Sequence, residues 1–227
     1  MGGVGGAGAS RWRVWQLVDS ALPTGGFAHS GGLEALAQRG LVRGGAGVRR
    51  AIAEALWQAG HGVLPFVGAA HAAPGALAEL DALCGAVTAS HVAHRASRAQ
   101  GRALLDAGAR IFPEALGPLR ERARAERLAL HLGPTAGATL GALGVGREEA
   151  QAVVLHWTLR GAASAAVRLG LVGPFEAQRL QADAEPTLAA VLARCGALGV
   201  DDAAQTAPLV EAAGMGHDAL YSRLFQS

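Results

Sequence analysis

At 227 residues and 22.9 kDa, the chain is long enough for one large domain or two small ones. Its twenty basic residues are all Arg, which excludes chemistry that needs a lysine, such as a phosphate-binding P-loop or a Schiff base. A formal net charge of +2 sets up no field strong enough to draw nucleic acid or an anionic membrane to the surface.

Hydrophobic residues make up 51% of the chain and aromatics only 4%. Alanine supplies much of the apolar content, and it has the best helix propensity. No alternation of apolar and polar residues persists anywhere. The expected class is therefore all-α: a single-domain bundle of about eight to ten helices with no β-sheet.

The opening MGGVGGAGAS lacks the basic and leucine-rich segments of a secretory signal and reads as a disordered Gly-rich tail over residues 1–10. Residues 11–213 follow as the helical domain, and 214–227 as a C-terminal tail. Cys84 and Cys195 lie far apart and form no metal-binding or disulfide pattern, which suits a cytoplasmic, reducing setting. Pro65, Pro74, His61 and His71 break the long uncharged run from Ala55 to Ala78, so no membrane span is expected.

A short helix from Arg11 to Val18 leads into the most unusual stretch, DSALPTGGFAHSGGLE, from Asp19 to Glu34. Connections between helices commonly need only about two to eight residues. Gly25 and Gly26 permit positive φ, while Pro23 fixes φ just before them. The loop should hold one bent shape that presents Phe27, His29 and Ser30. Ser30 is expected to cap the next helix, with Glu34 in its first turn.

Periodicity then predicts a helix from Val48 and helical pieces divided by Pro65 and Pro74. One long helix or two nearly collinear ones should run from Pro74 to Phe112. Amphipathic segments follow over Glu114–His131, Glu148–Gly170 and Pro174–Cys195. Gly133, Gly137 and Gly141 recur every four residues, the pattern of a close helix crossing. The last ten residues, DALYSRLFQS, place Leu220, Tyr221, Leu224 and Phe225 on one face of an expected final helix, with Arg223 off that face. Such a face can dock on its own core or in a partner's groove.

Few residues suggest chemistry. His91 and His94, at i and i+3, are weak metal candidates because a zinc site calls for a third ligand. Asp19, His29 and Ser30 include the residue types of a nucleophile–base arrangement, but such an arrangement is spatial and their spacing does not argue for one. From the residues alone, the chain reads as a helical interaction protein rather than an enzyme. A histidine-dependent metal-binding carrier is the alternative.

Three blocks resemble the urease accessory protein F family (UreF): LVDSALPTGGFAHSGGLEALAQRG near the start, SRAQGRALLDAGARIFP from Ser97, and HDALYSRLFQS at the end. AAVRLGLVG from Ala165 is a weaker link between them. The resemblance implies a non-catalytic, all-helical chaperone of nickel-enzyme maturation that forms a homodimer. It would bind a second accessory protein, UreD (also UreH), and with it recruit the GTPase UreG to deliver nickel to apo-urease. It implies no tightly bound cofactor in this chain, with nickel and GTP handled through the partners. The family's assembly-critical arginine maps onto Arg223, and Leu220, Tyr221, Leu224 and Phe225 take a partner-docking role. Asp19, Ser20, Pro23, Gly26, Phe27, His29, Ser30 and Glu34 match the signature loop as interface or conformational residues.

Overall fold

Proline sets many of the helix boundaries. Pro65, Pro74, Pro113, Pro174, Pro186 and Pro208 each stand at the first or second position of a helical segment. There the missing N–H leaves no hydrogen bond unmade, and the fixed φ already suits a helix.

The computed structural model describes residues 11–227, so the expected tail over 1–10 lies outside the described residues. The described residues form twelve α-helices and no strand. They are α1 (Arg11–Val18), α2 (Leu33–Gln38), α3 (Gly44–Gly62), α4 (Leu64–Ala72), α5 (Leu77–Val87) and α6 (His91–Ile111). After these come α7 (Pro113–Ala125), α8 (Leu132–Ala142), α9 (Arg147–Arg168), α10 (Pro174–Asp183), α11 (Glu185–Cys195) and α12 (Pro208–Met215). The all-α class expected from composition is the one observed. The helices outnumber the expected eight to ten partly because Pro186 divides Pro174–Cys195 into α10 and α11.

Helices α4 and α8 form the centre and are apolar nearly all round, as a fully buried helix must be. Helices α3, α5, α6 and α9 pack around them. The glycine ladder is where α4 and α8 cross. A Cβ on Gly137 would lie 2.2 Å from the Val67 carbonyl oxygen, and one on Gly133 would lie 3.1 Å from Phe66 Cβ. The main core then extends outward through Leu56, Leu104, Leu116, Leu140 and Leu155, all almost wholly buried. Burying each such side chain contributes about 1.5–3 kcal/mol.

The start of α8 explains the second sequence block. Its N-cap, His131, makes no capping bond of its own. Instead Asp81 accepts hydrogen bonds from Leu130 N and His131 N at 3.0 and 2.6 Å, and Ser97 Oγ accepts one from Leu132 N at 3.0 Å. The approach turn holds Arg127 and Leu130 at positive φ, rare for such side chains. Gly101 makes room for it, since a Cβ there would sit 2.1 Å from the Leu130 carbonyl oxygen. Among the described residues, no single helix is long and apolar enough to cross a membrane.

Beyond α12 the chain does not form the expected final helix. A single 3-10 turn covers Gly216–Ala219 and is closed by Leu220 N on His217 O, and Tyr221 to Ser227 form no helix. Leu220, Tyr221, Leu224 and Phe225 therefore do not share a helical face. The physical reason lies in the partners: backbone groups of this segment bond to other parts of the molecule instead of to each other.

Candidate docking site formed by the loop and the tail

The signature loop begins where α9 receives α1. Trp157 Nε1 donates to the Leu17 carbonyl at 3.0 Å, and Arg160 donates to that of Val18, so orphan carbonyls at the end of α1 are satisfied by α9. Asp19 Oδ1 then accepts from Ala21 N at 2.7 Å, an Asx turn that reverses the chain. Gly25 sits at φ +73°, and a 3-10 turn over Gly26–Ala28 delivers His29 in an extended conformation.

Ser30 caps α2 with its side chain, through Glu34 N, although the N-cap position itself falls two residues later. That position is Gly32, at φ +88°, where the backbone passes close to α12: a Cβ on Gly32 would meet Val210 Cγ1 at 3.1 Å. The doubled Gly31-Gly32 lets α12 lie against the loop. Ser30 Oγ accepts from Glu34 N at 3.3 Å and donates to the Ser227 main-chain oxygen at 3.0 Å.

The last residues lie against this loop. Ser30 N donates to Ser227 O at 2.6 Å, and Gln226 N donates to Ala28 O at 2.7 Å. His29 Nδ1 lies 2.6 Å from Ser227 Oγ. Glu34, 1% exposed, is the centre of the contact. Its Oε1 accepts from Leu224 N at 2.7 Å, while its Oε2 accepts from Phe225 N at 3.3 Å and from His217 Nε2 at 2.9 Å. A carboxylate has no proton to give, so His217 Nε2 is the donor, and its Nδ1 is buried without a hydrogen-bond partner.

Two arginines complete the join. Arg168 on α9 donates to the carbonyls of Phe27 and Leu224, the latter at 3.0 Å, and lies 4.2 Å over the Phe225 ring. That cation–π contact links loop, tail and body in one side chain. Arg95 on α6 holds Asp218 through two hydrogen bonds of 2.8 and 3.1 Å. His91, at 3.3 Å, and Arg223, at 3.5 Å, approach the same carboxylate. The hydrogen bond from Arg95 is the main reason the Asp218 carboxyl titrates below its usual range. Burial, with the Arg95 and His217 charges nearby, lowers the titration of His29.

The structure thus brings Phe27, His29, Ser30 and Glu34 together with Leu224, Phe225 and Ser227. It sets Asp19, Ser20 and Pro23 apart at the loop's exposed entry. Asp19 bonds to Ala21 N and His29 to Ser227, so the three residue types noted in sequence are engaged separately. Gly26 packs toward Gln100 of α6. Among the tail residues, Phe225 is buried, Leu220 is half-buried, and Tyr221, Arg223 and Leu224 are exposed, Tyr221 completely so. His91 turns to Asp218, whereas His94 packs its ring edge-on against His131, with centroids 4.4 Å apart. The two candidate ligands have different neighbours. Among the described residues no group of three or more His, Cys, Asp or Glu side chains could hold a metal ion.

Sequence reasoning missed Arg168, Arg95, His217 and Asp218 as residues of this site. Arg168 lies within AAVRLGLVG, and His217 and Asp218 open the terminal block, so all three were inside similar segments. Nothing in their spacing linked them to the loop.

Fold and site together define an all-α protein whose most elaborated surface is a glycine-rich loop bound by the chain's own C-terminal segment. The family model described as UreF matches residues 42–185, from just before α3 to the start of α11. Urease accessory protein F of rice (Oryza sativa subsp. indica) is 38% identical over 95% of this chain and 85% of its own length. Its namesake in Arabidopsis thaliana is 36% identical over 96% of this chain and 92% of its own. Urease accessory protein UreF of Arthrobacter sp. (strain FB24) is 33% identical over 97% and 99%. The chain belongs to the UreF family of urease accessory proteins.

Proposed function

We propose that the protein is a non-catalytic scaffold of urease maturation, and that the joined loop and tail form its docking surface for partner proteins. On this reading it binds the second accessory protein, UreD or UreH, and with it recruits the GTPase UreG for nickel insertion into apo-urease. It acts in the cytoplasm as a homodimer, and nickel and GTP are handled by the partners. The observation that carries the reading is the placement of apolar side chains. Tyr221 is fully exposed and Leu224 is 58% exposed on a tail whose backbone is held by bonds to the loop and body, and Phe27 of the loop is 47% exposed. Exposed aromatic anchors on an ordered backbone suit a binding hot spot, because little side-chain and chain entropy is lost on association.

The site's polar groups favour binding over catalysis. The Glu34 carboxylate is occupied by three donors, and His29 is bound to Ser227. The test is removal of residues 220–227 followed by co-purification with UreD and UreG. Loss of both partners with helical content unchanged is the expected result. Full assembly by the truncated chain would refute the docking role.

A further inference from the structure

We propose that the cavity between α2, α3, α6 and α9 is a binding site for a small, neutral, largely apolar molecule that carries one hydrogen-bond donor. Its volume is about 390 Å³, within the ~300–1,000 Å³ typical of ligand pockets. An apolar cavity of about 150 Å³ holds one benzene ring, so a bicyclic aromatic molecule has room here. Leu36 of α2, Ile52 of α3, Leu104 of α6 and Val154 of α9 contribute to its walls, and all four are buried. Gln205, which is exposed, marks where the cavity reaches the surface.

Polar groups in these walls are largely engaged with the protein itself. Thr88 Oγ1 donates to the Cys84 carbonyl at 2.7 Å, Thr158 Oγ1 to that of Val154 at 3.1 Å, and Trp157 Nε1 to that of Leu17 at 3.0 Å. Ser97 Oγ accepts from Leu132 N at 3.0 Å. An enclosed water needs about two to four polar partners, and walls of this kind supply few, so the space favours an apolar occupant. Gln100 is the exception. Its Nε2 donates to the Ala96 carbonyl at 3.4 Å, which leaves Oε1 to accept from a hydroxyl or N–H of the ligand. The border carries one charge of each sign, Arg160 and Glu211, and Arg160 already donates to the Val18 carbonyl. A net charge on the ligand would therefore lose its hydration without gaining a partner. This inference concerns the chain alone and does not depend on which proteins it binds.

The test is calorimetric titration of the full-length chain with 1-naphthol, a neutral bicyclic probe with one hydroxyl. Saturable binding is expected. Naphthalene-1-sulfonate, which has the same rings but a charge, should bind at least about tenfold more weakly. Ala96 of α6 and Ala55 of α3 both border the cavity, so Ala96→Leu and Ala55→Leu fill it from different walls. Each should weaken naphthol binding at least about tenfold, with a cooperative melt to show that the variant folds; if one fails to fold, the other carries the comparison. Ala115→Leu, at an exposed position of α7, should leave binding unchanged. Gln100→Leu should weaken binding of naphthol more than that of naphthalene, which has no hydroxyl to donate. Absence of saturable naphthol binding at millimolar concentration would overturn the proposal. So would undiminished affinity in the filled variants, which would place the probe elsewhere, or a sulfonate that binds as tightly as naphthol.

Discussion

His29 shows how one side chain can couple the tail to pH. Burial lowers its titration from an ordinary value near 6.5, and the Arg95 and His217 charges act in the same direction. Between the lowered folded value and 6.5, the unfolded chain holds more protons on His29 than the folded chain does. Stability therefore rises with pH across that window and is lost on acidification. Melting temperatures from pH 7 down to pH 5 should fall more steeply for the native chain than for His29→Gln, which cannot titrate. Equal slopes would remove His29 from the account. The same variant should weaken partner assembly modestly, because glutamine can replace the hydrogen bond to Ser227 but not the ring's shape. Cys84 provides a contrast. Burial first, then the Asp81 carboxylate, pushes its thiol up to about 12. It should accordingly resist alkylation at pH 8 in the folded protein and react once the chain is unfolded.

At the scale of elements, the glycines divide into those that admit a neighbour and those that do not. Gly137→Ala would drive a methyl group into the Val67 carbonyl of α4, and overpacking of this kind costs about 1–3 kcal/mol. Gly161, inside α9, has open space where its Cβ would be. Gly161→Ala should stabilise the protein by about 1 kcal/mol through helix propensity alone. Urea unfolding of the two variants should move in opposite directions; a shift of the same sign in both would contradict the packing assigned to α4 and α8.

These two glycines also mark what the sequence could reveal. The four-residue spacing of Gly133, Gly137 and Gly141 announced a helix crossing, though not that α4 was the partner. Helical class was legible because alanine and leucine periodicity is local. The tail was misread because DALYSRLFQS has helical spacing, while its backbone is claimed by Glu34, Ala28 and Ser30, at least 190 residues away in sequence. No local pattern carries that information. Glu34 does lie in the first turn of α2, as its sequence context predicts, but its side chain bonds the tail amides and His217, which no local pattern shows.

Across the described residues, the loop from Asp19 to Glu34 meets the C-terminal segment. The loop near the start and the segment at the end, read separately as signature and docking tail, form one surface clamped by Arg168 and Arg95 from the body. Helices α4 and α8 position it only indirectly, by fixing α6 and α9 around a common core. That arrangement explains how a chain of this family can present exposed aromatic and aliphatic side chains without a helix to carry them.

The central claim is that this surface binds a partner protein, and Tyr221 and Leu224 test it most cleanly because both are exposed and support no core packing. The decisive measurement is the affinity of the Tyr221→Ala, Leu224→Ala double variant for UreD. The account predicts a Kd at least about tenfold weaker, as expected for a lost interface anchor, with the melting temperature unchanged. An unchanged Kd would contradict it.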